Sequence, residues 1–218
     1  MIVLALDTAL GACSSAVWSD GAILAVRTET MDRGHQERLA PLVAETMAAA
    51  GVAFAAVDRL AVTVGPGSFT GLRVGIAFAK GLSMALDRPC LGVGTLEALA
   101  ASAGTGFTVA AIDGRRGQIY LQAFVDGTPV MAPDSLDATE AATRLAELYR
   151  GGPASLIGPG APLLEGMIAS ARLDPRAVPD VALLAALAGS RPRPTAAPRP
   201  LYLRAPDART IAERAAGP

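Results

Sequence analysis

Two aspartates raise the question of chemistry first. Asp7 follows the apolar run Ile2–Leu6 and opens onto Thr8 and the turn-like Ala9-Leu10-Gly11. Asp113 follows a second apolar run and opens onto Gly114-Arg115-Arg116-Gly117. Two such turns facing each other across a cleft can hold the phosphates and magnesium of a nucleotide, if a glycine- and hydroxyl-rich loop lets backbone N–H groups cradle the phosphates. The first turn brings Thr8, Gly11, Ser14 and Ser15, and the second has no hydroxyl at all. Turn-forming aspartates are therefore the simpler reading, and a complete ATP site within this chain the less favoured one.

The stretch Gly65-Pro66-Gly67-Ser68-Phe69-Thr70-Gly71-Leu72-Arg73-Val74-Gly75 is the most distinctive in the sequence. It lacks the glycine spacing and the Lys-Ser/Thr ending of a P-loop, although a helix N-terminus there could hold an anion. Gly71, Gly75 and Ala79 recur every four residues, beside an apolar ridge of Val74, Phe78 and Leu82. Glycine inside a helix costs about 1 kcal/mol relative to alanine, so close approach of a neighbour should offset it, as small-residue stripes do elsewhere. That neighbour could belong to another chain or to this one. His35, the single histidine, heads a helical stripe of Leu39, Leu42 and Val43. A triad has no Gly-x-Ser-x-Gly elbow to use, and a His-x-x-x-His metal pair is ruled out because Leu39 holds the second position.

The elements that would position these residues follow from the pattern. Strands are expected at 2–6, 13–19 and 22–28, with Asp20-Gly21 as a hairpin turn. A helix is expected over 34–50, stopped by Gly51, then a buried strand at 60–64 and a helix capped by Ser68 running to 86. A strand at 91–93 and a helix over 96–103 complete a mixed sheet with helices on its faces. Shifting by 106 places Val3 on Val109, Ala5 on Ala111, Leu6 on Ile112, Asp7 on Asp113, Gly11 on Gly117, Trp18 on Phe124 and Asp20-Gly21 on Asp126-Gly127. That register argues for a duplicated β-turn-β unit. Helices near 138–149, 163–171 and 181–188 and a strand at 155–157 follow. Two lobes, 1–104 and 105–190, and a Pro/Arg-rich tail, 191–218, are the expected organisation, with Leu201-Tyr202-Leu203 able to dock the tail.

Composition narrows the class. A net charge of −1 gives no basic field for nucleic acid. Cys13 and Cys90 lie far apart, without CxxC spacing, and read as buried free thiols of a reducing compartment. The longest charge-free run, Ala98–Ile112, is interrupted by Gly104-Thr105-Gly106 and is too short for a membrane span of about 20 residues. The apolar start has no basic flank, so no signal peptide is expected, and a cytoplasmic location is. Charged residues make up 18% of the chain, against about 25% in ordinary globular proteins. Either a second chain covers part of the surface or the chain is simply alanine-biased.

Ala5-Leu6-Asp7-Thr8, His35 before Leu39-Ala40-Pro41, Gly65–Gly75, Gly92-Val93-Gly94-Thr95-Leu96, Asp113-Gly-Arg-Arg with Ile119-Tyr120, and Pro200-Leu201-Tyr202-Leu203-Arg204 together resemble the bacterial TsaB family, also called YeaZ. The resemblance is dense in the first half and thin in the second. It implies an actin-like duplicated α/β fold of two lobes, each a mixed sheet flanked by helices. It implies a non-catalytic platform for making N6-threonylcarbamoyladenosine at position 37 of tRNA. In that family a catalytic paralogue, TsaD, carries the His-x-x-x-His metal pair, and a small ATPase, TsaE, joins the complex. ATP, ADP and metal then belong to the complex, with none bound by this chain alone, and tRNA is met only through the complex. The resemblance places the contact with TsaD on helices 34–50 and 68–86, implying an interface of His35, Leu39, Leu42, Val43, Gly71, Arg73, Val74, Gly75, Phe78, Ala79 and Leu82. A nucleotide site shared with a partner would draw on Asp7, Thr8, Asp113, Arg115 and Arg116. The chain departs from the family pattern at Gly114 and Gln118, where alanine and glutamate are expected. A homodimer of the free protein is expected, because an exposed helical stripe lacking its partner tends to pair with itself. The alternative in a different class is a stand-alone actin-like ATPase or kinase, and a hydrolase comes third.

Overall fold

The computed structural model describes residues 1–204, which build two mixed sheets of matching topology. The first contains β1 (Ile2–Asp7), β2 (Ala12–Ser19), β3 (Ala22–Thr30), β4 (Arg59–Thr63) and β5 (Cys90–Val93), in the order β3-β2-β1-β4-β5. The second contains β6 (Phe107–Arg115), β7 (Gln118–Val125), β8 (Thr128–Pro129), β10 (Ala154–Ile157) and β11 (Arg172–Asp174), in the order β8-β7-β6-β10-β11. A short β9 (Asp134–Leu136) also pairs with β7. In both sheets an antiparallel meander is followed by two strands parallel to its first. The hairpin turns match as well: Asp20 and Gly21 have φ of 44° and 95°, and Asp126 and Gly127 have φ of 48° and 76°. Positive φ at both central positions is what a twisted two-residue hairpin requires.

A second correspondence lies after the fourth strand of each lobe, at a different offset. Gly65-Pro66-Gly67 follows β4 and Gly158-Pro159-Gly160 follows β10. Gly65 and Gly158 share a left-handed backbone, with φ of 116° and 108°. Beyond it the lobes diverge. The first continues into α2 (Phe69–Leu86), the second only into a single 3-10 turn, Ala161–Leu164. The helix expected over 163–171 is thus corrected: Gly166 and Ser170 both adopt positive φ, which breaks it, and β11 begins at Arg172.

Helix α1 (His35–Ala50) and α2 cover one face of the first sheet. Leu39, Leu42, Val43 and Met47 pack with Leu4, Leu6, Leu60 and Val62. Gly51 ends α1 in a left-handed conformation, and Ser68 caps α2 by accepting from the Gly71 N–H at 3.2 Å. By length and composition α2 could cross a membrane; in this fold one face of it, Gly71, Leu72, Gly75, Ile76 and Ala79, is packed on the first lobe. In the second lobe α4 (Ala138–Leu148), started by an Asp137/Glu140 capping box, packs on β7.

The lobes exchange helices. Helix α3 (Thr95–Ala100) follows β5, but its Leu96, Leu99 and Ala100 pack with Ala110, Ile112, Phe124 and Ile157 of the second sheet. Helix α5 (Val181–Ser190) returns to the first sheet, setting Val181, Leu184, Ala185 and Ala188 against Val3, Ala5, Ala16 and Ala61. The expected boundary of the second lobe at 190 is corrected accordingly, since 181–190 belong with the first sheet. Arg59, buried in β4, donates to the Ala188 and Arg191 carbonyls at 2.5 and 2.6 Å and fixes the end of α5. The tail then runs over the first lobe, where the Leu201 N–H bonds the Val64 carbonyl at 2.7 Å. The part of the expected tail beyond 204 lies outside the described residues. Cys13 and Cys90 are free and buried.

Candidate functional site

The first turn is buried and filled by the chain itself. Asp7 is fully enclosed at the end of β1. Its Oδ1 accepts from Thr63 Oγ1 at 2.5 Å and from the Ala9 N–H at 3.0 Å, while Oδ2 has no partner. Burial raises its pKa above the ordinary carboxylate range, outweighing those two hydrogen bonds and the nearby His35. Thr8 Oγ1 donates to the Gly71 carbonyl at 2.7 Å, and the Ser68 N–H donates to the Ala9 carbonyl at 2.7 Å.

These contacts explain the glycines. A Cβ at Gly67 would stand 2.4 Å from the Ala9 carbonyl oxygen, one at Gly71 2.1 Å from that of Thr8, and one at Gly75 2.3 Å from Thr8 Oγ1. The close neighbour of the small-residue stripe is thus the 7–9 turn of the same chain. The turn also engages the Ser68 N–H, a donor at the head of α2 that could otherwise have met an anion.

The second turn is open. Asp113 is exposed, and its Oδ1 accepts from the Arg115 N–H at 2.7 Å. Arg115, Arg116 and Gly117 follow with φ of 60°, 52° and 77°. Between the turns lies a cleft of about 650 Å³, walled by Ala9, Leu10, Gly11, His35, Gly67 and Ser68 on one side and by Asp113, Gly114, Arg115 and Tyr120 on the other. The structure therefore brings Asp113 and Arg115 into one cleft with His35, seats Asp7 and Thr8 behind its wall, and puts Arg116 in an adjoining hollow with Gln118 and Leu163. Gly114 is tightly set, since a Cβ there would lie 2.9 Å from the Gln118 carbonyl oxygen and 3.1 Å from the Tyr120 ring.

The expected interface residues divide by burial. Leu39, Leu42, Val43, Gly71, Gly75 and Ala79 face the chain's own interior, so they offer no surface to a partner, and this corrects their assignment. His35 is buried at the head of α1, with Nε2 unpartnered. Val74, Phe78 and Leu82 are half-buried at the margin of the core, and Arg73 is exposed. The outward stripes are different residues: Ala40, Ala44 and Ala48 on α1, and Ala77, Gly81 and Ala85 on α2. Met84, 83% exposed, stands beside the second. A Cβ at Gly81 would meet nothing within 4 Å. The sequence carries both α2 stripes at four-residue spacing. That the inner stripe adjoins Thr8 is a tertiary fact the spacing does not encode. Among the described residues, no group of three or more His, Cys, Asp or Glu is placed to hold a metal ion.

Two like-ordered sheets, helices exchanged between lobes and facing β-turn-β turns define a duplicated actin-like protein. ROK hexokinase from Thermus thermophilus shares that fold, with a TM-score of 0.51 at 15% identity, covering 85% of this chain and 97% of the hexokinase. YeaZ from Pseudomonas aeruginosa superposes with a TM-score of 0.74 at 35% identity, covering 86% of this chain and 90% of that one. The family model of TsaD, tRNA N6-adenosine threonylcarbamoyltransferase, matches residues 26–156. The TsaB protein of Escherichia coli (strain K12), a tRNA threonylcarbamoyladenosine biosynthesis protein, is 41% identical over 124 residues. That match spans 55% of this chain and about half, 53%, of the relative. The chain belongs to the TsaB (YeaZ) family.

Proposed function

We propose that the chain is a non-catalytic platform subunit in the synthesis of N6-threonylcarbamoyladenosine on tRNA, docking a TsaD-type catalytic paralogue through the outer faces of α1 and α2. The observation that carries the reading is the use of the first turn: Thr8 and Ala9 are packed by Gly67, Gly71 and Gly75, so α2 is seated directly on it. The outer side of α2 presents a small-residue row of Ala77, Gly81 and Ala85 with Met84 and Lys80 beside it, and α1, which packs against α2, presents Ala40, Ala44 and Ala48. Such a face lets a second helix pair approach closely, and it accords with the low share of charge in the sequence. The match of a TsaD model to residues 26–156 supports kinship with the proposed partner.

In this reading TsaE joins the complex, ATP or ADP and a metal are handled there and not by this chain alone, and tRNA is reached only through the assembly in the cytoplasm. The free protein pairs with itself through the same helices. The test is titration of the purified chain against a TsaD-type paralogue, with wild type and Gly81→Gln compared. Gly81 has room for a side chain within its own fold and glutamine is the better helix former, so the variant should match or exceed the wild-type unfolding midpoint while its affinity falls about a hundredfold, as for a central interface position. Unchanged affinity would refute docking on this face.

A further inference from the structure

The segment after α5 touches the first lobe at two places. Arg191 is held by Glu97 through its guanidinium and by Arg59 through its carbonyl. Farther on, Leu201 donates its N–H to Val64, just past the end of β4. Tyr202 lies against Phe69, the first residue of α2, with ring centroids 5.4 Å apart, and its hydroxyl accepts from Arg73 Nε at 3.1 Å. The Arg73 guanidinium sits 3.6 Å over the Phe69 ring. Phe69, Arg73 and Tyr202 thus form one assembly that joins the first turn of α2 to the tail.

The body is shaped to receive this segment. A Cβ at Gly65 would lie 2.5 Å from the Leu201 carbonyl oxygen, and one at Gly92 would lie 3.2 Å from Pro198 Cβ. Gly65 already needs glycine for its φ of 116°, and a Cβ at Gly92 would stand closer still to Val64 Cγ1, at 2.6 Å, so the tail adds a second close approach at each. Its own attachment is light: Tyr202 is 40% exposed, and the segment adds neither helix nor strand. Phe69 and Arg73 sit about two turns and one turn from Ala77 along α2, continuous with the face proposed above.

We infer that residues 198–202 are a strap that sets the first turn of α2 in its docking conformation, so that partner binding depends on the C-terminal segment. The inference rests on the reading of α2 as the docking face. Two full-length variants test it: Tyr202→Ala, which removes the ring and the hydroxyl acceptor, and Leu201→Pro, which removes the N–H to Val64. Amide exchange over residues 69–73 should speed up about tenfold in both, with α4 unchanged, and affinity for a TsaD-type paralogue should fall about tenfold. Met84→Lys, on the same face but away from the strap and 83% exposed, is the reference. If Met84→Lys weakens binding while neither strap variant does, the strap is overturned and the docking reading stands. If exchange over 69–73 is unchanged, the strap does not set α2. If Met84→Lys also leaves binding intact, the docking reading has failed and takes the partner half of the inference with it.

Discussion

Two glycines of one helix should respond to alanine with opposite signs. At Gly75 a Cβ would stand 2.3 Å from Thr8 Oγ1 and 3.5 Å from Val62 Cγ2. The hydroxyl must move, and with it goes the 2.7 Å bond to the Gly71 carbonyl. Leaving those groups unpaired in a buried place costs about 1–3 kcal/mol, and crowding a close-packed contact costs about 1–3 kcal/mol more. The helix propensity of alanine returns about 1 kcal/mol, so Gly75→Ala should destabilise by about 3 kcal/mol net. Gly81 meets nothing within 4 Å, so Gly81→Ala should instead stabilise by about 1 kcal/mol through propensity alone. Urea unfolding followed by far-UV circular dichroism reads both as midpoint shifts at constant slope. By heat the pair should separate by about 8–16 °C, at about 2–4 °C per kcal/mol for a chain of this size. A Gly75→Ala midpoint at or above wild type would refute the account of the stripe as the seat of Thr8. A destabilised Gly81→Ala would refute the claim that this position faces open space.

Three further outcomes follow from buried groups. Burial lifts the Asp7 pKa above its ordinary value, so between the two values the folded protein holds a proton that the unfolded chain has released, and stability falls as pH rises through that window. Asp7→Asn keeps an Oδ1 for Thr63 and Ala9 and should flatten that fall, as read from unfolding midpoints between pH 4 and 8; an identical profile would count against a raised Asp7. Burial pushes the Cys13 thiol up to about 11 and the Cys90 thiol up to about 12, so iodoacetamide at pH 8 should label neither in the native protein and both in urea. Arg59→Met should cost about 2–4 kcal/mol by removing two charged hydrogen bonds to the end of α5, with hydrogen exchange in 181–190 rising before that of β1; uniform exchange would deny Arg59 a local role.

Much of the first lobe was legible because its signals are local. Asp20-Gly21, Gly51 and Ser68 punctuate the chain through backbone and capping chemistry, and the stripe of Leu39, Leu42, Val43 and Met47 is a helix face whatever it packs on. What could not be read was which neighbour each face meets. The same periodicity that identifies Leu39, Leu42 and Val43 as an apolar face is silent on whether that face meets β2 or another protein, and it was assigned to the partner when it belongs to the core. The exchange of α3 and α5 between lobes was hidden for a like reason, since an alanine-rich helix fits either sheet. The candidate cleft was half legible. The repeat placed Asp7 and Asp113 in corresponding turns, but burial sets them apart, and burial of Asp7 depends on α2, some sixty residues away.

The second repeat shows where the two lobes of one duplicated fold part. Both lobes place Gly-Pro-Gly after their fourth strand, and in both the last glycine presses on the first strand or its turn: Gly67 on Ala9, Gly160 on Ile112. The next residues then decide the chemistry. In the first lobe Ser68 caps a helix of 18 residues, and Gly71 and Gly75 carry it down onto Thr8. In the second, Ala161–Leu164 makes one turn and stops, leaving the Asp113 turn in the cleft. A nucleotide held between two turns needs both open, so closing one of them is enough to deprive the lobe pair of that arrangement. The same step gives the first lobe a rigid helix with an apolar outer face that the second lacks. If α2 docks a partner as proposed, the packing that closes the first turn and the helix that docks are one feature of this geometry. A variant that loosens the Thr8 contact should accordingly weaken docking without creating nucleotide binding, because the rest of the cradle, a hydroxyl-bearing second turn, is absent from the sequence.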